Sequence, residues 1–245
     1  MTMNLLILGA NSDVGQELAK IFAQHEHANI YMGSRKLDLL EKSCTDIKIR
    51  YNVEAEYFPF DATDYESHVD FYEKLDPKPD GIVLAFGYLG DQQLAQRDFQ
   101  EARKIIETNF MGAVSILEII AADFARRNHG FIIALSSVAG ERGRQSNYIY
   151  GAAKGALTIY LSGLRNRLHK KNVRVISVLP GMIRTKMTDG LDLPDKLLAE
   201  PEEIAQDIYN GFKKGKDIIY SKWYWKLIMT VIKLMPERVF KMMRL

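Results

Sequence analysis

Short runs of consecutive apolar residues alternate along the chain with longer stretches whose apolar positions recur every three or four residues. The runs at 4–8, 29–32, 55–59, 81–85, 130–135, 173–179 and 217–220 are predicted strands. Helical spacing is clearest over 14–24 and 99–127. Strands that are apolar on both faces and alternate with amphipathic helices predict an α/β fold, with a parallel sheet covered on both sides. No linker, repeat or low-complexity tract breaks the alternation. One domain is therefore expected over residues 1–220, with residues 221–245 as an amphipathic tail of the same domain.

In such a sheet the crossovers are right-handed, and ligands bind beyond the carboxyl ends of the strands. The polar and glycine-bearing segments are placed accordingly. Gly9 to Gly15 follow the first predicted strand, Ser34 and Arg35 the second, and Asp61 the third. Gly87 follows the fourth, Ser136 and Ser137 the fifth, and Pro180 and Gly181 the sixth. All are expected along one edge.

Composition narrows the function. A 47% hydrophobic and 26% charged chain is an ordinary globular one. A net charge of +2, from 33 basic and 31 acidic residues, does not suggest a nucleic-acid partner. The lone Cys44 excludes an intrachain disulfide and a cysteine metal cluster, and fits a reducing compartment. The first residues lack a basic n-region and a long apolar run, so a cytoplasmic protein is expected. The histidines are scattered in polar contexts, are expected to be mostly solvated, and form no metal site.

The segment "LLILGANSDVG" reads as strand, glycine turn and helix start, the arrangement in which helix amides attract phosphate. Its acid, Asp13, opens "DVGQ", which has the form of a capping box, so the carboxylate is expected to turn back onto the helix amides. After the second strand, "MGSRK" offers no acid for ribose hydroxyls. Ser34, Arg35 and Lys36 suit a 2′-phosphate instead, so NADP(H) is expected over NAD(H). Within "SSVAGERGRQSNYIYGAAKGAL", Tyr150 and Lys154 lie four apart and share a helix face. An adjacent ammonium favours the phenolate of a group whose ordinary pKa is ~10. Ser137, with Ser136 as its rival, can bring a hydroxyl beside that phenol.

These features resemble the short-chain dehydrogenase/reductase family. The match comprises Gly9 to Gly15, Asp61, Asn109 in "TNFMGAV", Ser137, Tyr150, Lys154 and "PGMIRT", in order over residues 3–220. The resemblance implies a Rossmann-fold, doubly wound seven-stranded parallel sheet, ordered 3-2-1-4-5-6-7, and hydride transfer with a nicotinamide. It implies that Tyr150 donates a proton to a carbonyl whose oxygen Ser137 holds. It implies that Lys154 binds the ribose and lowers the tyrosine pKa, and that Asn109 anchors a water relay. Gly9, Asn11, Ser12, Asp13, Val14, Gly15, Ser34, Arg35, Asp61, Ala62, Gly87, Pro180, Gly181, Ile183 and Thr185 would line the cofactor, along with Tyr150 and Lys154. From the residues alone, Asp61 could equally cap the next helix and Asn109 could be a helix-interior polar residue. Family members are often homo-oligomers.

Two departures from the family pattern, Asp13 and "LAFGYLGD" in place of Asn-Asn-Ala-Gly, look like a subgroup, and "AFGYLGD", "SSVAGERGR" and the C-terminal tail resemble one branch of the family. That branch reduces a 2-keto pentose on a polyprenyl phosphate, beside a separate flavin oxidase. Arg142 and Arg144 lie between Ser137 and Tyr150 and suit a substrate phosphate. The tail "SKWYWKLIMTVIKLMPERVFKMMRL" sets Lys222, Lys226 and Lys233 on one face, with Trp223, Leu227, Ile228, Val231, Leu234 and Met235 over much of the rest. That pattern suits the inner membrane surface or packing against protein. Other readings are a reductase of a soluble ketone, ketoacyl, steroid or retinoid, and a non-catalytic nucleotide sensor.

Overall fold

The computed structural model describes residues 2–190 and 194–243. Each apolar run becomes a strand: β1 Asn4–Leu8, β2 Asn29–Ser34, β3 Ala55–Pro59, β4 Gly81–Leu84, β5 Gly130–Leu135, β6 Val173–Pro180 and β7 Ile218–Ser221. They form one sheet in the order β3-β2-β1-β4-β5-β6-β7, as expected. Every pairing is parallel. The order reverses between β1 and β4, which opens a crevice at their carboxyl ends.

The helices are α1 Asp13–Glu26, α2 Leu37–Tyr51, α3 Ser67–Glu73, α4 Gln92–Ala95, α5 Phe99–Ile106, α6 Gly112–Arg127, α7 Tyr148–Leu168, α8 Pro201–Lys213, α9 Tyr224–Leu234 and α10 Glu237–Phe240. Successive strand residues face opposite sides, which explains why Leu5, Leu6, Ile7 and Leu8 of β1 are all apolar. Leu5 and Ile7 join Leu18, Phe22, Ile204 and Ile208 in one core. Leu6 and Leu8 join Ile116, Ile120, Leu157 and Leu161 in the other. Each such fully buried side chain is worth about 1.5–3 kcal/mol.

The 99–127 stretch is one helical path, with a π-helical turn, Glu107–Met111, between α5 and α6. By length and composition alone it could cross a membrane. Ile116, Leu117, Ile120 and Phe124 are instead buried in the sheet's second core.

In the tail, α9 buries Trp225 and Met229 against Val138 and Leu179. Gly181 allows this, because a Cβ there would overlap the Trp225 indole. Pro236 separates α9 from α10.

Candidate active site

At the end of β1 the chain turns through Gly9 at φ +79°, where a side chain would overlap the backbone of Phe86. Both the close approach and the left-handed backbone require glycine. A Cβ on Gly15 would crowd Ser12 Oγ and the Gly9 carbonyl. Ser12 caps α1, its Oγ accepting from the Gly15 N–H at 3.1 Å. The expected role of Asp13 is therefore corrected: a hydroxyl one residue earlier takes the cap. The Asp13 carboxylate accepts from the Lys186 backbone N–H at 3.1 Å and lies 3.3 Å from Lys186 Nζ. It ties the turn to the segment after β6. An acid in a helix's first turn also meets the positive end of the dipole. The Val14 side chain packs in the core.

Asn11 joins this turn to the next, its Nδ2 donating to Ser34 Oγ at 3.1 Å and to the Lys36 carbonyl at 2.8 Å. Arg35 is exposed and makes no side-chain hydrogen bond or ion pair among the described residues. Asp61 caps no helix. Its Oδ1 accepts from the Thr63 N–H and hydroxyl, each at 2.9 Å. Burial raises its pKa, but those bonds and the charge of Arg35 outweigh burial and hold it low. Gly112, at the start of α6, lets the helix press against the Ala62 carbonyl.

His25, His27, His129 and His169 are exposed, as expected of most of the histidines, but His68 is wholly buried. Its Nε2 donates to the Asp61 carbonyl at 2.9 Å, so Nδ1 accepts from Ser115 Oγ at 2.9 Å. The ring also stacks on Phe60, with centroids 5.0 Å apart. This support is invisible in the sequence because Ser115 lies far along the chain, on α6.

Beyond β5 the two serines separate. Ser136 is buried and donates to the Lys154 carbonyl at 2.9 Å, holding α7 to the strand. Ser137 lines a cleft of about 890 Å³ together with Tyr150, Pro180, Gly181, Ile183 and Thr185. Lys154 is buried and donates to the Leu135 carbonyl at 2.9 Å. Its Nζ lies 5.8 Å from the centroid of the Tyr150 ring. Burial pushes the Tyr150 phenol up to about 12, only partly offset by a hydrogen bond with Ser137. Burial pulls Lys154 down to about 8. In the free protein loss of solvent outweighs the Ser137 hydrogen bond, and the phenol keeps its proton.

Asn109 sits in the π turn, where the extra residue per turn moves its amide off the helix ladder. Nδ2 donates to the carbonyls of Ile105 at 2.9 Å and Tyr88 at 2.6 Å, while Oδ1 accepts from the Tyr88 N–H at 3.2 Å. Gly87 adjoins this group. A Cβ there would lie 3.0 Å from Asn109 Oδ1 and 3.5 Å from Lys154 Nζ. "LAFGYLGD" therefore still supports the asparagine, through the Tyr88 backbone.

The two arginines behave differently from expectation and from each other. Arg142 turns away from the cleft. Its guanidinium holds the carbonyls of Ile232 and, at 2.7 Å, Met235 at the end of α9, pairs with Glu237 at 2.9 Å, and stacks on Phe240. A cation there satisfies terminal carbonyls and opposes the helix dipole, so Arg142 is a tail clamp and not a substrate residue. Arg144 does line the cleft. Gln92, Asn147 and Trp225 line it as well and went unnoticed in the sequence, because α4 and α9 reach the cleft only through tertiary packing.

A sheet of this order, with a glycine-turn cradle at its switch point and a tyrosine cleft beside it, defines an NAD(P)-dependent oxidoreductase. Residues 3–195 match the short chain dehydrogenase family. The chain belongs to that family. An uncharacterized oxidoreductase of Mycobacterium tuberculosis is 32% identical over 242 residues, covering 98% of this chain and 96% of the relative. Another, from Streptomyces coelicolor, is 29% identical over 97% of this chain and 94% of its own. A short-chain dehydrogenase from Sphingobium yanoikuyae in complex with NADPH shares the fold, with a TM-score of 0.83 at 19% identity, over 96% of this chain and 97% of that one. A Burkholderia cenocepacia short chain dehydrogenase in complex with NADP also has a TM-score of 0.83, at 21% identity over 98% and 97% of the two chains.

Proposed function

We propose that the protein is an NADPH-dependent reductase of a ketone. The observation that carries this reading is a protonated Tyr150 beside Ser137 in one cleft, with the buried Lys154 close behind. Ser137 Oγ accepts from the Ala139 N–H at 3.1 Å, so its own proton can turn from the phenol to a substrate carbonyl oxygen. Tyr150 gives its proton to that oxygen as charge develops there. Lys154 then carries positive charge at the phenolate. Asn109, fixed by three hydrogen bonds, holds the backbone that shapes the Lys154 side of the cleft. A bound nicotinamide supplies the hydride. NADPH oxidation measured over a panel of ketones tests the reading, and a panel with no turnover would overturn it.

The cradle fits that cofactor. Gly9 and Gly15 let the turn close tightly over the amide end of α1, and buried Asn11 Oδ1 lacks a partner among the described residues. The unpaired Arg35 next to Ser34 favours a 2′-phosphate, and the structural neighbours bound to NADPH and NADP agree. Arg35→Ala should lower kcat/KM with NADPH by about 10- to 100-fold, the worth of one charge-assisted contact. The NADH value should barely move. Equal losses with both cofactors would count against a 2′-phosphate contact.

For the substrate, the resemblance to polyprenylphosphoryl keto-pentose reductases supports a lipid-linked keto-sugar supplied by a flavin oxidase partner. The tail supports the lipid part of this reading. Trp225 lines the cleft, while Trp223 just before α9 and Leu227, Val231 and Leu234 on it are exposed beside the solvated Lys226. Such a helix suits the inner face of a membrane. Full-length protein should float with liposomes containing anionic lipid, and Leu227→Glu with Leu234→Glu should abolish flotation. No flotation of the wild type would remove the membrane from the reading. Exposed Phe99, Met111 and Ile159, on the 99–127 path and α7, support a homo-oligomer.

A further inference from the structure

Buried polar atoms without partners gather at the cleft. Gln92 Nε2, Arg144 Nε and Asn147 Oδ1 are shut off from solvent and lack a hydrogen-bond partner among the described residues. All three side chains line the wall that holds Ser137 and Tyr150. Buried polar groups are nearly always satisfied, so a group of exceptions on one cleft wall calls for a ligand.

Arg144 decides what kind of ligand. Among the described residues its Nη2 reaches only the Met229 thioether, at 3.1 Å, a weak acceptor. The charged groups around it are otherwise engaged. Glu141, the acid whose charge acts on Arg144, accepts from Tyr220 Oη at 2.8 Å and pairs with Lys233, leaving its second oxygen without a partner among the described residues. It makes no ion pair with Arg144 among the described residues. Asp91 spends one oxygen on the N–H groups of Gln93 and Leu94 at the start of α4, at 2.8 and 3.0 Å. Arg142 is occupied with α9. Burial depresses the Arg144 pKa, yet a guanidinium stays charged at any ordinary pH. The orientation of Gln92 is fixed, because its Oε1 accepts from the Ile149 N–H at 3.0 Å and leaves Nε2 as a free donor.

We propose that Arg144 makes this cleft specific for an anionic ketone, its carboxylate or phosphate held by the guanidinium and a hydroxyl by the amides of Gln92 and Asn147. The proposal deepens the reductase reading and rests on it only for the reacting carbonyl.

Calorimetric titration of the full chain saturated with NADP⁺ tests it. The probes are dihydroxyacetone phosphate against dihydroxyacetone, and acetoacetate against methyl acetoacetate. In the wild type the anionic member of at least one pair should bind tenfold or more tightly than its neutral mate. The pair that discriminates tells phosphate from carboxylate. Arg144→Met should erase the difference, and Arg144→Lys should keep part of it. Arg144→Met should also leave Tm unchanged or raise it, since a half-buried unpaired charge is removed. The proposal is overturned if the wild type does not discriminate in either pair, or if Arg144→Met still does. It is also overturned if that variant melts several degrees lower, which would make Arg144 a structural partner of Glu141. An anionic probe that binds as expected but is never reduced with NADPH would leave the anion site standing and remove the reductase reading.

Discussion

Tyr150→Phe should lower kcat for ketone reduction by about 10²- to 10⁴-fold, the usual worth of one positioned general acid. The substitution removes a single oxygen and leaves the packing of α7 as it is. NADPH should therefore still bind, as followed by its fluorescence, and Tm should hold. A large loss is expected because the phenol is the acid at the reacting end of the cleft. Burial keeps it protonated, with the pKa pushed up to about 12, and Ser137 lowers it only in part. A phenol in that state is ready to donate a proton, as reduction requires. If Tyr150→Phe retained near-normal turnover, another group would have to deliver the proton.

Lys154→Met should do two opposite things: abolish most turnover and raise thermal stability near pH 7. The ammonium is 3% exposed and has one hydrogen-bond acceptor, the Leu135 carbonyl. Burial pulls its pKa from 10.5 to about 8. The unfolded chain therefore holds this proton more tightly than the folded one. Below pH 8 both states carry it, and the folded state bears the full cost of a buried charge, about 3 kcal/mol. As pH climbs from 8 to 10.5 the folded state sheds the proton first, and the cost fades. At about 2–4 °C per kcal/mol for a chain of this size, the methionine variant should melt several degrees higher at pH 7. Near pH 10.5 the gap should close. Calorimetry at the two pH values measures both. In the wild type, reduction that needs the ammonium should decline above pH 8. A variant that melts lower at pH 7 would show that Lys154 is a structural tie to β5.

Much of this site was legible because it is local in the chain. The spacing of Tyr150 and Lys154 is set by the turn of one helix, and Gly9 to Gly15 by one strand–helix junction. What escaped was set by long-range packing. Asp13 looked like a cap because "DVGQ" carries the right residue types. Ser12 took the cap one position earlier, which freed the carboxylate for Lys186, 173 residues away. Arg142 and Arg144 are two residues apart in one loop, yet one clamps α9 and the other faces the cleft. His68 read as a surface residue until Phe60 and Ser115 closed over it.

The alternation of two-faced apolar runs with helical spacing determined by itself an α/β protein with a parallel sheet. Burial on both faces leaves no other stable layering, and the edge that carries the chemistry follows from it. Tertiary structure alone decided the ionisation state and the partners of the polar groups at that edge. Desolvation pushes the Tyr150 phenol up, and the surroundings that cause it come from strands and helices remote in sequence. A charge such as Arg144 lacks a counterion only once the whole wall has assembled around it.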